Sequence, residues 1–296
     1  MNMNFNILYA NHNPPIACED MLRLVRLNIE AAGHTARYSD SIDGDAMNII
    51  MESFETPSMA SALDAVRSYG LKYIIVATEM ITGNTFNRFD FNGVEHYANL
   101  VMWQRRYSAF LEWAKTAEAI WLATSDPAQL DLYRQVTGKR VVEIRPAWFE
   151  SFRPVAKAEV QGIDFCFSGS RTTHRQSILG QLLHVGKTQF LSPHTPQYAR
   201  EDYISRSRFC LDLRLCPDYG QLSQMRVWYL LQNGCHVIAE KPAMEARLGK
   251  YVMLAPSGEL VETCRAALQN PSCSIWFERQ LQAFREETHA KAEAER

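Results

Sequence analysis

The 296-residue sequence lacks the features that mark several large classes of protein. No window approaches the ~20 apolar residues that a membrane-spanning helix needs. The 31 basic and 33 acidic residues give a net charge of −2, which argues against a general polyanion binder. The first nine residues have no basic stretch, so we expect a strand there rather than a signal peptide. These absences predict a soluble protein that does not bind nucleic acid.

Patterns for metals, disulfides and hydrolase triads are also missing. The seven cysteines form no C-x-x-C pair, and the sequence has neither H-x-x-x-H nor a D-x-D placed after a strand. An odd number of scattered cysteines predicts reduced, buried thiols, as is typical of the cytoplasm. No serine stands in a nucleophile elbow. Metal-dependent and serine-hydrolase chemistry are therefore not predicted.

Apolar strands alternate with helices along the first half of the chain. A content of 47% hydrophobic residues can bury a large core, and the length suits about two domains of about 150 residues each. A helix is predicted over residues 16–32, ending at Gly33. The continuous apolar run at 71–77 is typical of a strand buried on both faces of a parallel sheet. This alternation predicts an α/β fold.

The second half repeats the same alternation. Strands are predicted at 163–167, 188–191, 209–213, 236–239 and 251–255, and helices at 174–184, 196–205, 223–232 and 257–268. A last helix is expected from about residue 273.

Two segments of the second half carry the most specific pattern. Phe167-Ser168-Gly169-Ser170 closes an apolar strand, and Arg175 lies in the helix that follows. About fifty residues later, Ser223 and Arg226 stand at the start of another helix, which ends at Asn233-Gly234. A strand that runs into Gly and Ser, followed by an arginine-bearing helix, brings backbone N–H groups and positive charge to a diphosphate.

These residues resemble the donor-binding half of the GT-B glycosyltransferases, particularly the spore-maturation-type branch of the glycosyltransferase family 1-like group. In that group a "G-S, then R" turn is followed by an "S-x-x-R, small residue-G, V-I" helix and strand. Residues 147–154, which follow the strand predicted at 140–146, also resemble the element that joins the two domains of these enzymes. The resemblance implies a GT-B fold, with two Rossmann-like domains whose parallel sheets face a cleft and a C-terminal helix that packs back on the N-terminal domain.

The resemblance also implies a separate role for each domain. Residues 1–153 would form the acceptor-side domain, 154–272 the nucleotide-sugar-binding domain, and 273–296 the C-terminal helix and tail, anchored by Trp276 and Phe277. The implied activity is transfer of a sugar from a nucleotide sugar to a glycan, a lipid-linked glycan or a protein, with no metal or other cofactor required. Peripheral membrane contact and a homodimer stay open, and the expected location is the cytoplasm.

The donor-side residues that the resemblance implies are Gly169, Ser170, Arg175, Arg214, Ser223 and Arg226. Tyr229, on the nucleoside side, departs from the pattern, because many relatives have a glutamate there that receives the ribose hydroxyls. A tyrosine does not offer two acceptor oxygens. Another residue holds the ribose, or the donor is unusual, or the site has decayed. A non-catalytic GT-B-like partner protein and a nucleotide-sugar epimerase or hydrolase therefore stay open as alternatives.

An inverting transfer also needs a base near the acceptor hydroxyl. Glu79 lies in the polar loop after the strand at 71–77, at the sheet edge where parallel α/β folds bind ligands, and is the first candidate. His12, in the loop after the first strand, is the second. A loop-capping role for Glu79 and a turn role for His12 are the alternatives. A retaining transfer would need no such base.

Overall fold

The computed structural model describes residues 2–9, 18–89, 99–124, 126–256 and 258–289. The chain divides into two compact units. Among the described residues, unit 1 comprises those within 2–88 and 99–145, and unit 2 comprises Phe89 and those within 146–289. The break at Arg145/Pro146 lies a few residues before the boundary expected from the sequence.

Unit 1 is built on a six-stranded sheet in the order β2-β1-β3-β4-β7-β8, in which every pair of neighbours is parallel. A two-stranded antiparallel hairpin, β5-β6, follows β4. The strands of unit 1 are β1 (Asn4–Leu8), β2 (Thr35–Ser39), β3 (Met47–Met51), β4 (Tyr73–Ala77), β5 (Ile81–Thr82), β6 (Thr85–Phe86), β7 (Ala119–Leu122) and β8 (Val141–Glu143).

The helices in the described part of unit 1 have ordinary sequence signals at several of their ends. They are α1 (Glu19–Ala31), α2 (Pro57–Tyr69), α3 (Leu100–Ala114) and α4 (Pro127–Thr137). In α2 the Thr56 side chain accepts from the Met59 N–H, and Gly70 ends the helix in the left-handed conformation. Trp103, Tyr107 and Trp113 of α3 pack into one core with β4 and α4. The aromatic spacing of α3 therefore serves packing.

Strand β3 is not predicted from the sequence, because Asn48 interrupts its apolar run. Asn48 is fully buried and its amide is satisfied: its Oδ1 accepts from Asn6 Nδ2 at 2.9 Å, and its Nδ2 donates to the Lys72 carbonyl at 3.0 Å. A polar side chain with such partners is tolerated in a buried strand.

Unit 2 contains a five-stranded parallel sheet in the order β10-β9-β11-β12-β13. Its strands are β9 (Ile163–Ser168), β10 (Thr188–Leu191), β11 (Ser207–Asp212), β12 (Val237–Glu240) and β13 (Met253–Ala255), and its helices are α5 (Thr173–Leu182), α6 (Gln197–Ser205), α7 (Gln224–Gln232), α8 (Leu260–Gln269) and α9 (Cys273–Thr288). A 3₁₀ helix at Arg247–Tyr251 replaces the start of the strand that the sequence predicts at 251–255.

The C-terminal helix α9 makes its described packing contacts within unit 2. Phe277 is buried in the core of this unit, 5.7 Å from the ring of Phe209 and stacked on His236 at 4.8 Å. Trp276 is 36% exposed. Phe277 thus anchors the helix in unit 2, because the apolar side of α9 meets the core over the sheet. The packing of this helix on the N-terminal domain, which the resemblance implies, stays a prediction.

All seven cysteines are free and buried, as expected for reduced thiols. Within the described ranges, no helix is long and apolar enough to cross a membrane.

Candidate functional site

Three neighbouring strands of unit 2 end in polar residues at one edge of the sheet. The last residues of β9, β11 and β12 are Ser168, Asp212 and Glu240. Asp212 and Glu240 are each only 3% exposed. Because the carboxyl ends of parallel strands meet at one edge, this is where an open α/β sheet binds its ligand. Two acidic side chains thus lie buried there, and each must be paired with cations or N–H groups.

Gly169 follows β9 and leaves room for an arginine from the other motif. A Cβ atom at this position would lie 2.8 Å from Cζ of Phe167 and 3.0 Å from Nη2 of Arg226. The Gly169 N–H already donates to the Leu191 carbonyl at 3.0 Å. The contribution of Gly169 is therefore space for the Arg226 guanidinium rather than an N–H group for a ligand.

Arg226 is held by the buried carboxylate of Asp212. Its Nη1 lies 2.5 Å from Oδ1 of Asp212, while Oδ2 accepts from the Ser223 N–H at 3.1 Å. Burial raises the pKa of Asp212, and the Arg226 charge opposes that rise. The Arg226 side chain is 21% exposed, and no side chain among the described residues caps the start of α7. A partly exposed cation and a helix N-terminus thus stand together at this edge of the sheet.

Arg175 is committed to main-chain carbonyls. Its guanidinium donates to the carbonyls of Ser170 (Nη1, 3.0 Å), Arg214 (Nε, 3.0 Å) and Leu213 (Nε at 3.1 Å and Nη2 at 2.7 Å). The residue is 3% exposed. Arg175 therefore ties the turn after β9 to the loop after β11. A phosphate contact by Arg175 stays a prediction that this geometry does not favour.

The buried carboxylate of Glu240 contacts both His174 and Arg214. His174 Nε2 lies 2.8 Å from its Oε1, and the Arg214 N–H donates to its Oε2 at 2.7 Å. The Arg214 guanidinium lies 3.5 Å from Oε1. Burial opposes the charged form of Glu240, but these hydrogen bonds and charges outweigh it and lower its pKa. Glu240 is therefore ionised at neutral pH and fixes Arg214, one of the predicted donor-side residues.

Sequence reasoning missed Asp212, Glu240 and His174. The signal for the two acidic residues is an acidic side chain that closes an apolar strand, in Phe209-Cys210-Leu211-Asp212 and in Val237-Ile238-Ala239-Glu240. His174 carries no such signal, because its pairing with a residue 66 positions away depends on the tertiary fold.

Tyr229 lies apart from this cluster, in the packing of α7. It is 2% exposed, its hydroxyl is 3.2 Å from Oε1 of Glu201, and Arg200 covers its ring at 4.7 Å. Phe152 meets the ring edge-on. These contacts give Tyr229 a structural place, and its nucleoside contact stays a prediction.

In unit 1, Glu79 lies in the loop after β4 and is tied down by two side chains. Its Oε1 is 3.0 Å from Nη1 of Arg106, and its Oε2 accepts from Asn87 Nδ2. The β5-β6 hairpin brings Asn87 back to the loop, where the Asn87 N–H donates to the Met80 carbonyl at 2.8 Å. The Glu79 side chain is 19% exposed. His12, the second candidate base, lies outside the described residues.

A second carboxyl, Glu52, lies beneath Glu79 and was not predicted. Its Oε1 accepts from the Thr78 hydroxyl at 2.6 Å and from the Glu79 N–H at 2.8 Å, and the residue is 4% exposed. Burial, and next the nearby charge of Glu79, raise the pKa of Glu52 to about 8. The protonated form of Glu52 is therefore favoured at neutral pH.

The sequence matches no protein-family model and no curated protein. Solved structures do match. TarM superimposes with a TM-score of 0.51 at 12% identity, over 85% of this chain and 53% of its own. The fold is GT-B. This chain thus spans about half the length of TarM.

Two further glycosyltransferase structures match with lower TM-scores. AviGT4, involved in avilamycin A biosynthesis, superimposes at 0.48 and 11% identity, over 95% of this chain and 93% of its own. UGT2 of Phytolacca americana, solved with UDP-2fluoro-glucose and pterostilbene, superimposes at 0.44 and 8% identity, over 97% and 95%. At such identities the likeness concerns the fold alone, and the activity of this GT-B chain has to be argued from its site.

Proposed function

We propose that this protein is a glycosyltransferase that takes a sugar from a nucleotide-sugar donor bound by unit 2. The observation that carries the proposal is the Arg226 guanidinium, held by Asp212 next to Gly169 at the start of α7. A guanidinium and a helix N-terminus are the two groups by which proteins most readily bind phosphate.

The arrangement suits the departure of a nucleoside diphosphate. Negative charge grows on the diphosphate as the bond to the sugar breaks, and fixed donors that meet it lower the barrier. Arg226 and the first N–H groups of α7 would supply these donors, with Ser170 and Ser223 beside them. Arg175, Arg214 and Glu240 would hold the surrounding loops in place. We propose on this basis that transfer needs no metal and no cofactor besides the donor.

The donor class is tested by thermal shift with UDP, GDP, CMP, dTDP and their common sugar conjugates. A ligand that binds the native state raises the melting temperature by mass action, so one nucleotide and its conjugates should stabilise the protein. The same shift is expected with Mg²⁺ and with EDTA. If none shifts the melting temperature at millimolar concentration, the proposal fails. A shift that requires Mg²⁺ would contradict metal independence alone.

We further propose that unit 1 binds the acceptor and that Glu79 is the base of an inverting transfer, with His12 as the second candidate. Its carboxylate lies 3.0 Å from the Arg106 guanidinium, and burial raises the pKa of the neighbouring Glu52 carboxyl to about 8. Two neighbouring carboxyls in unlike environments are typical of acid–base sites.

Glu79→Gln should slow transfer by about 10²–10⁴-fold, because the acceptor proton loses its base. The affinity for the donor should not change. Transfer is measured as release of the nucleoside diphosphate, with an acceptor found for the wild-type protein. Glu55→Gln is the matched control, because Glu55 lies 3.7 Å from the same arginine and has no predicted role in proton transfer. Unchanged transfer in Glu79→Gln would end its role as the base.

A further inference from the structure

Gln224, the first residue of α7, has a buried side-chain amide without a partner. The residue is 7% exposed, and neither its Oε1 nor its Nε2 has a hydrogen-bond partner among the described residues. Buried amides in folded proteins are normally paired, and an exception calls for an explanation. This amide is therefore the least satisfied polar side chain at the start of α7.

Two other buried glutamines of the chain show the normal arrangement. Gln129 accepts from the Ile81 N–H at 2.9 Å and donates to the Ile81 carbonyl at 3.1 Å. Gln232, at the other end of α7, pairs in the same way with the N–H and the carbonyl of Phe149, at 3.1 and 3.0 Å. Their exposures are 7% and 0%. All three glutamines are buried, but Gln129 and Gln232 each make two side-chain hydrogen bonds and Gln224 makes none to the described residues.

The position of Gln224 at the start of α7 indicates that its amide can form hydrogen bonds with a bound ligand. It follows Ser223, whose N–H is held by Asp212, and it stands at the helix start where we place the diphosphate. The side chain has three rotatable bonds and breaks no protein hydrogen bond when it turns. It can therefore swing towards a ligand without losing a partner, whereas Gln129 and Gln232 would each lose two.

We propose that Gln224 binds the transferred sugar of the nucleotide-sugar donor through one of its hydroxyl groups. The inference rests on the proposed function. A sugar hydroxyl both accepts and donates, so it can receive a hydrogen bond from Nε2 and give one to Oε1. The sugar is joined to the diphosphate, which brings its hydroxyls to the first turn of α7. Gln224 is thus a residue that selects the sugar.

The test compares Gln224→Met with the wild type. Methionine keeps the length and helix propensity of glutamine and removes both polar atoms. Dissociation constants are measured by calorimetry for the sugar conjugate that stabilises the wild type most, among UDP-glucose, GDP-mannose and dTDP-glucose, and for its nucleoside diphosphate. The variant should bind the conjugate about 10-fold more weakly and the diphosphate as the wild type does. Its melting temperature should stay equal or rise, since it buries no unpaired amide.

Gln232→Met is the matched control on the same helix. It loses two hydrogen bonds to Phe149, so its melting temperature should fall while both dissociation constants stay unchanged. If Gln224→Met binds the conjugate as tightly as the wild type, the inference is wrong and the proposed function stands. If Gln224→Met binds the conjugate and the diphosphate more weakly by the same factor, then Gln224 contacts the nucleotide and the proposed sugar contact is wrong. If the wild type binds none of these conjugates, the proposed function fails, and the inference fails with it.

Discussion

Arg175→Met is expected to lower the free energy of unfolding of unit 2 by about 3–5 kcal/mol, because each buried carbonyl left without a partner costs about 1–3 kcal/mol. The Arg175 guanidinium makes four hydrogen bonds to the carbonyls of Ser170, Leu213 and Arg214. Methionine fills most of the space but donates nothing to them. Urea denaturation at neutral pH measures the change.

Arg171→Met is the control for this prediction. Arg171 precedes the same helix, is exposed, and has its guanidinium 4.7 Å from the ring of Phe190. Its removal should change the unfolding free energy by less than about 0.5 kcal/mol, as for other surface substitutions. If Arg175→Met instead keeps its stability and binds nucleotide more weakly, then Arg175 contacts the ligand and is not a structural clamp.

Arg226→Ala is expected to have two effects, one on binding and one on stability. Loss of a charge-assisted contact should weaken nucleoside diphosphate binding by about 1.5–3 kcal/mol, roughly 10- to 150-fold. The buried Asp212 would also lose its ion-pair partner, which costs about 3 kcal/mol of stability. From the sequence alone, with Arg226 on the surface of a helix start, no change in melting temperature would be expected. Because Arg226 forms an ion pair with the buried Asp212 in the folded structure, we expect its removal to lower the melting temperature.

The stability loss should depend on pH. Without Arg226, burial raises the pKa of Asp212 further, so that the native state favours the protonated carboxyl. A group whose pKa is higher in the folded state contributes stability below its unfolded pKa, and this contribution is lost as the pH rises through the folded pKa. The unfolded-state pKa is the same in both proteins, so the difference in unfolding free energy between Arg226→Ala and the wild type should grow as the pH rises through the pKa of Asp212 in the folded wild type, which burial holds above the ordinary aspartate value.

A double variant separates the two effects. Asp212→Asn in the Arg226→Ala background removes the unpaired charge and keeps an oxygen for the Ser223 N–H, so most of the stability should return. Nucleotide affinity should stay low, because the guanidinium is still missing. Recovery of affinity together with stability would show that Arg226 acts through the fold and does not contact the ligand.

The alternation of strands and helices could be predicted because its signals are local in the sequence, and the GT-B arrangement was implied by the family resemblance of the motifs between residues 165 and 240. The run at 71–77 is apolar throughout, and Thr56 with Pro57 and the final Gly70 bracket α2. Such signals depend on neighbours within a few residues, and a sequence shows those neighbours directly. Strand β3 was not predicted, because the buried Asn48 in this strand is hydrogen-bonded by Asn6, which lies 42 positions away in the sequence.

For the candidate site, the sequence shows which elements carry the predicted donor-side residues, and the contacts of those residues depend on the tertiary structure. The sequence by itself determined that the Gly169 turn follows an apolar strand and that Ser223 and Arg226 stand at a helix start, since the positions of strands and helices follow from periodicity and local end signals. The strand order that brings both to the carboxyl edge of one parallel sheet is a property of the tertiary structure. Only the tertiary structure decided that Asp212 forms an ion pair with Arg226, that the Arg175 guanidinium donates to main-chain carbonyls, and that Glu240 pairs with His174. The physical reason is that these contacts include hydrogen bonds between residues 14, 38 and 66 positions apart, and such partners are selected by distance and burial in the folded chain rather than by a local pattern.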